Sequence, residues 1–187
     1  MSAAVENLKE QIVNRRLGLW LFIASESMIF LALLGTRFYM QGVHRPDELN
    51  QGLGLIITSI LLISSFTANR AEVAIAHNDR SGFLRNIGIT ILLGFVFLGI
   101  VVGVEWPEAL HFAPPSDGYG TVFFATTGMH ALHVLSGLII LILVALQARR
   151  GRYSAEDYWD VQGSVVYWHF VDVVWVFVYP ILYLVGP

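Results

Sequence analysis

The sequence contains no cysteine. That removes disulfides, thiolate zinc sites, iron–sulfur clusters, covalent c-type haem attachment and any copper centre held by thiolates. Charge is scarce too: Asp, Glu, Lys and Arg make up 13% of the chain, against roughly a quarter in a soluble domain. No basic stripe or arm is present, which argues against nucleic acid as a partner. There is no internal repeat and no pair of broken helices of the kind transporters use. No Gly-x-Ser-x-Gly elbow is present to expose a nucleophilic serine.

What is present is apolar. Hydrophobic residues make up 56% of the 187 residues, enough chain for one domain, and the mean hydropathy is +0.64. A membrane span needs about 20 largely apolar residues. Five stretches meet this, at about 17–40, 53–76, 83–106, 120–147 and 161–185. The expected architecture is an all-α integral membrane protein, a five-helix transmembrane bundle over 17–187. Residues 1–16 precede it as a cytoplasmic or interfacial segment; their pattern suits a short surface helix or a polar leader. Pro107, Pro114 and Pro115 mark 107–117 as a loop.

Basic residues set the expected orientation. Lys9, Arg15, Arg16, Arg70, Arg80, Arg85, Arg149, Arg150 and Arg152 fall on one side, and Arg37 and Arg45 on the other. Nine against two places the N-terminus in the cytoplasm and the C-terminus outside. Gly99 and Gly103 form a G-x-x-x-G pair expected to admit a close helix. Trp20, Tyr39, Trp106, Tyr119, Tyr158, Trp159 and Tyr179 lie towards span ends and read as interfacial anchors.

Ionisable groups inside a bilayer are costly and normally face a partner. Five lie deep in the spans: Glu26, His130, His133, His169 and Asp172. Glu72 and Glu105 lie nearer helix ends, where water is expected to reach them. His130 and His133 are three residues apart, as are His169 and Asp172, so each pair projects from one helix face. The short loop between the fourth and fifth helices makes them antiparallel neighbours, which would bring the two pairs together. Three chemistries are open to such a set: a zinc or iron site of three imidazoles and a carboxylate, a hydrolase using Ser136 beside His133, or proton handling by Glu26, His169 and Asp172. The structural alternative to each is interhelical hydrogen bonding, including a His169–Asp172 pair.

Three segments are recognisable. The run Tyr167-Trp168-His169-Phe170-Val171-Asp172-Val173-Val174-Trp175 resembles the final helix of subunit III of haem–copper respiratory oxidases. Gly128-Met129-His130-Ala131-Leu132-His133-Val134, followed by Gly137, resembles the family's G-x-H-x-L-H-V…G segment, and Trp20-Leu21-Phe22-Ile23-Ala24-Ser25-Glu26 its W-L-F-x-A-S-E. Glu105 stands where that family has a glutamate closing this chain's third helix. The likeness runs from about Arg16 to the C-terminus, with the three motifs in the family's order.

The resemblance implies an accessory subunit without a redox centre, in a proton-pumping terminal oxidase of cytochrome c or quinol type. It implies haem and copper in partner subunits, none on this chain, and bound phospholipid. The main partner would be subunit I, with subunit II and other oxidase subunits in the same complex. The location would be a bacterial plasma membrane, with the mitochondrial inner membrane as the other setting. Glu26, His130, His133, His169, Asp172 and Glu105 are then candidates for structural or proton-uptake roles. The histidine count agrees that oxygen chemistry lies elsewhere. Of six histidines, His44, His77 and His111 fall outside the membrane interior, and three imidazoles without cysteine cannot build two haem sites and copper centres. Long family members carry two further N-terminal helices, whose cleft with the other five holds lipid; the likeness here is to the short, five-helix form. His77-Asn78-Asp79-Arg80 stands where some members have an embedded carboxylate beside an acidic–basic pair, so no role of that carboxylate carries over. The contrasting reading is an independent polytopic membrane enzyme or transporter built on His130, His133, His169 and Asp172.

Overall fold

Three of the long helices begin at a side chain that accepts from their first free N–H groups. Asn50 accepts from Leu53 N at 2.9 Å, Asp79 from Gly82 N at 2.8 Å and Asp117 from Tyr119 N at 3.2 Å. In the computed structural model the backbone is described for residues 2–42 and 45–186, and side chains for 11–40, 42 and 45–186. His44 therefore lies outside the described residues. Helix α1 is Ser2–Gln41, α2 Gln51–Ala76, α3 Arg80–Ile100, α4 Trp106–Phe112, α5 Gly118–Arg149 and α6 Trp159–Tyr179. Among the described residues five helical runs are long and apolar enough to cross a membrane. Residues 2–16 continue into the first span as one helix.

The third run departs from the expected boundary. It passes from α3 through a π-helical turn, Val101–Glu105, into α4, and so reaches Phe112 rather than stopping before Pro107. Proline has no N–H to give the preceding turn. It is tolerated here because it stands in the first turn of α4, and the widened turn closes with Trp106 N on Val101 O. A second π turn, Pro180–Leu184, extends α6 in the same way, closed by Val185 N on Pro180 O at 3.0 Å.

Helix α6 is the centre of the bundle. It packs on α5, α2 and α1, while α3 bridges α2 and α5. Its indoles fix it to α2: Trp168 Nε1 donates to Ser64 Oγ and Trp175 Nε1 to Thr58 Oγ1, both at 3.0 Å. Glycines make room for Trp168. A Cβ on Gly94 would lie 2.7 Å from both Trp168 and Leu138, and one on Gly137 would lie 2.9 Å from Trp168. Gly99 and Gly103, by contrast, have nothing within 4 Å. The close helix expected at that pair is not another helix of this chain, because Gly94 already provides the near approach of α3 to its neighbours.

At the basic end, Asn78 takes a left-handed φ of 57° and its Oδ1 accepts from Ala155 N at 2.8 Å. The Arg80 guanidinium donates to Arg149 O. The polar stretch 77–80 thus caps α3 and ties the α2–α3 turn to the α5–α6 loop. Burial, with the Asp160 charge next, pushes the Tyr153 hydroxyl in that loop above its ordinary value. It stays neutral and donates to Gln147 Oε1 at 3.0 Å.

Candidate functional site

Helix α5 directs its two deep histidines to different neighbours. His133 Nδ1 lies 2.8 Å from Met129 O and must donate, because a carbonyl only accepts. Its Nε2 is 3.1 Å from Glu26 Oε2 on α1. A hydrogen bond across that gap needs one proton, held either as Glu26–COOH facing a neutral imidazole or as a carboxylate facing an imidazolium. Without it, two lone pairs face one another in a site where the His133 and Glu26 side chains are only 11% and 20% exposed. The geometry therefore sets a carboxyl and an imidazole in direct contact between α1 and α5. Ser136 donates to the His133 carbonyl at 2.8 Å and pairs with Tyr167 Oη at 2.7 Å. Its hydroxyl meets no imidazole, so the nucleophile–base arrangement of a hydrolase is not formed.

His130 is fully buried among Phe97 and Trp175, with ring centroids 5.5 and 4.7 Å away. Its Nε2–H donates to Val171 O of α6 at 3.1 Å, and its Nδ1 has no partner. His169 faces α2 instead, with Nδ1 2.6 Å from Ser65 Oγ. The expected His169–Asp172 pair is not direct. Ser65 takes the imidazole nitrogen and is also the polar neighbour of Asp172. Asp172 is 3% exposed, and neither carboxyl oxygen has a hydrogen-bond partner. Nor do the two sequence pairs meet, since one lies on the α1 side of α6 and the other on the α2 side. Among the described residues no three His, Asp or Glu side chains converge as metal ligands would.

Glu105 is 4% exposed rather than water-accessible. The π turn rotates it inward, where it is bonded to the Tyr183 hydroxyl of the second π turn. Its other oxygen has no partner. Close by, Tyr119 donates to Leu182 O at 2.7 Å, and the Arg37 guanidinium lies 5.1 Å from the Tyr119 ring. Arg37 is fully buried and donates to Gly42 O at 2.9 Å. Tyr119 and Tyr179, expected as interfacial anchors, are buried between helices, whereas Trp20 and Tyr39 are 61% and 91% exposed. Sequence reasoning missed Arg37, Ser65 and Tyr183. Arg37 had a signal, as a cation inside a predicted span; a lone serine or tyrosine in a span had none.

Residues 7–187 match the family described as cytochrome c oxidase subunit III. The chain is 34% identical over 187 residues to cytochrome c oxidase subunit 3 of Thermostichus vulcanus, covering 97% of this chain and 92% of that one. It is 35% identical over 184 residues to quinol oxidase subunit 3 of Bacillus spizizenii, covering 91% and 86%. Cytochrome c oxidase subunit 3 of Salmo salar is 33% identical over 184 residues, covering 91% and 69%. The chain belongs to the cytochrome c oxidase subunit III family. It is thus a membrane-embedded member of an oxidase complex with other subunits. Within a subunit III, Glu26, His130, His133, His169, Asp172 and Glu105 resolve into four separate sets of contacts placed around α6: Glu26–His133, His130–Val171, His169 and Asp172 beside Ser65, and Glu105–Tyr183.

A groove between α1, α5 and α6 opens towards the basic end. It holds about 510 Å³ and is lined mainly by apolar side chains, Leu19, Phe22, Ile140 and Leu143 among them, with Tyr167 and Ser136 also in its wall. An adjoining hollow of about 430 Å³ carries Arg15 and Arg16.

Proposed function

We propose that the chain is the accessory subunit III of a proton-pumping haem–copper terminal oxidase in a bacterial plasma membrane. It stabilises subunit I and supports proton uptake, while haem and copper reside in partner subunits. Its basic end faces the cytoplasm, so that the α2–α3 turn and the α5–α6 loop lie on the proton-uptake side. The observation that supports the proton role is the Glu26–His133 pair, a carboxyl and an imidazole in hydrogen-bond contact inside the membrane span. The apolar groove has the chemistry of a phospholipid site: it is chain-sized and mainly apolar, and the adjoining hollow carries Arg15 and Arg16 together with Glu156 and Asp157, a mixed-charge lining that suits a zwitterionic headgroup.

The test is gentle purification through a tag on this chain, followed by an optical spectrum, subunit identification and sustained-turnover measurement. The expected outcome is a haem-containing complex whose spectrum survives loss of this chain but whose turnover then decays faster. A chain that purifies alone with stoichiometric metal would favour the independent-enzyme reading. An unchanged turnover lifetime without the chain would remove the proton-uptake role.

A further inference from the structure

One face of α6 carries an imidazole at the depth where the bilayer is least tolerant of polarity. Gln162, Val166, His169 and Val173 follow one another at intervals of three or four residues, so they form a stripe along one side of the helix. That stripe is the floor of a trough. On one flank stand Arg16, Leu19 and Trp20, then Ser27 and Leu31 of α1, lining hollows of about 230 and 180 Å³ against α6. On the other flank stand Ser65, Asn69 and Glu72 of α2, again at helical spacing.

The polar groups of this trough are incompletely satisfied within the chain. Ser65 occupies His169 Nδ1, leaving the Nε2 edge of a part-exposed ring. Asn69 is exposed inside its span. Glu72 is part-exposed and has Gln162 as its side-chain neighbour. Acyl chains offer none of these groups a hydrogen bond, and each left facing hydrocarbon is costly. The exposed face of α5 is different in kind: Leu132, Leu135, Ile139, Leu143 and Leu146 are 43–62% exposed and wholly apolar, which suits lipid.

We propose that the α6 trough, between α1 and α2, is where a transmembrane helix of another oxidase subunit docks. That helix would bring hydrogen-bonding groups to the levels of His169 and Asn69. The proposal rests on the subunit III reading and adds which face is the interface. A hydrogen-bonding helix is specified, rather than lipid, because His169 and Asn69 both reach the surface of the trough. Helix α6 is thus fixed to α2 by Trp168 and Trp175, while other residues of the same helix present this surface.

The test uses the whole complex in its membrane. A photo-reactive benzoylphenylalanine replaces Val173 in one version and Ile139 in another; both positions are 53% exposed, so neither replacement disturbs the packed interior. After irradiation the complex is recovered through the tag on this chain, and adducts are identified by mass. Position 173 is expected to capture another subunit of the oxidase, and position 139 lipid. Lipid alone at position 173, a second copy of this chain there, or subunit capture at position 139 in its place would overturn the proposal. Recovery of the haem-containing partner is scored separately. If it is lost even for the unaltered chain, the subunit III reading fails; if it is kept while position 173 captures only lipid, the trough alone fails. As a second measurement, Asn69→Leu and His169→Phe should each lower partner recovery about tenfold in stringent detergent while leaving the helicity of the chain unchanged. Full recovery for both would count against the trough.

Discussion

The two sides of α6 carry the same residue types to opposite effect. On the α1 side a carboxyl and an imidazole, Glu26 and His133, meet directly at 3.1 Å, and a backbone carbonyl takes the remaining ring nitrogen. On the α2 side a carboxyl and an imidazole, Asp172 and His169, are separated by Ser65, and the carboxyl oxygens are left without partners. The first set meets directly between helices; in the second, among the described residues, the buried carboxyl oxygens stand without a well-aligned partner. The difference lies in whether hydrogen bonds close inside the fold, not in which residues are used.

The largest effect should come from disturbing the support common to both sides. Gly94→Leu would force a side chain into the space of Trp168, which anchors α6 between α2, α3 and α5. Overpacking of this kind costs about 1–3 kcal/mol or more, and here it should displace the helix that carries both sets. The expected outcome is a sharp fall in thermal stability of the purified chain, read by circular dichroism, together with loss of partner recovery. A wild-type melting profile would show that the α3–α6 contact is slack.

Next in size is the closed pair itself. His133→Leu leaves the Glu26 carboxyl without its base, and Glu26→Gln replaces a proton-holding contact by an amide. A double-mutant cycle in stability should give a coupling of about 0.6–1.7 kcal/mol, the range for interhelical hydrogen bonds in membranes. Additive effects would mean that the pair does not hold together as a unit. The open set should behave otherwise. In the isolated chain Asp172→Asn should shift stability by less than about 0.5 kcal/mol, since the carboxyl makes no hydrogen bond there that its removal could break. A loss as large as that of the closed pair would show that Asp172 is already satisfied internally and would erase the comparison.

The sequence made much of this legible. Span number follows from apolar length, and the deep polar residues stand out because polarity in a span is rare. Partnerships did not follow. Residues three apart share a helix face only to within about a sixth of a turn, and in a crowded bundle that is enough to send His130 to Val171 and His133 to Glu26. The three-residue spacing of His169 and Asp172 gave no warning of Ser65, because that serine lies 104 positions away from His169 in the chain. Pro107 misled for a related reason: proline ends an ordinary helix, but a π turn ahead of it lets α3 run on into α4. That turn also carries Glu105 inside to Tyr183.

The smallest effect is the most discriminating for the docking face. Gly99 lies five residues beyond Gly94 on the same helix, with open space where Gly94 has Trp168 and Leu138. Gly99→Ala should leave the isolated chain unchanged or stabilise it by up to about 1 kcal/mol through helix propensity. Gly94→Ala should destabilise it. Paired melting curves of the two variants test this difference in sign. Measured in the complex, the same Gly99 substitution bears on the asymmetry around α6. If the partner helix docks at the trough, α3's outer glycines face lipid and recovery of the partner is unaffected. If Gly99→Ala instead releases the partner while His169→Phe does not, the interface belongs to α3.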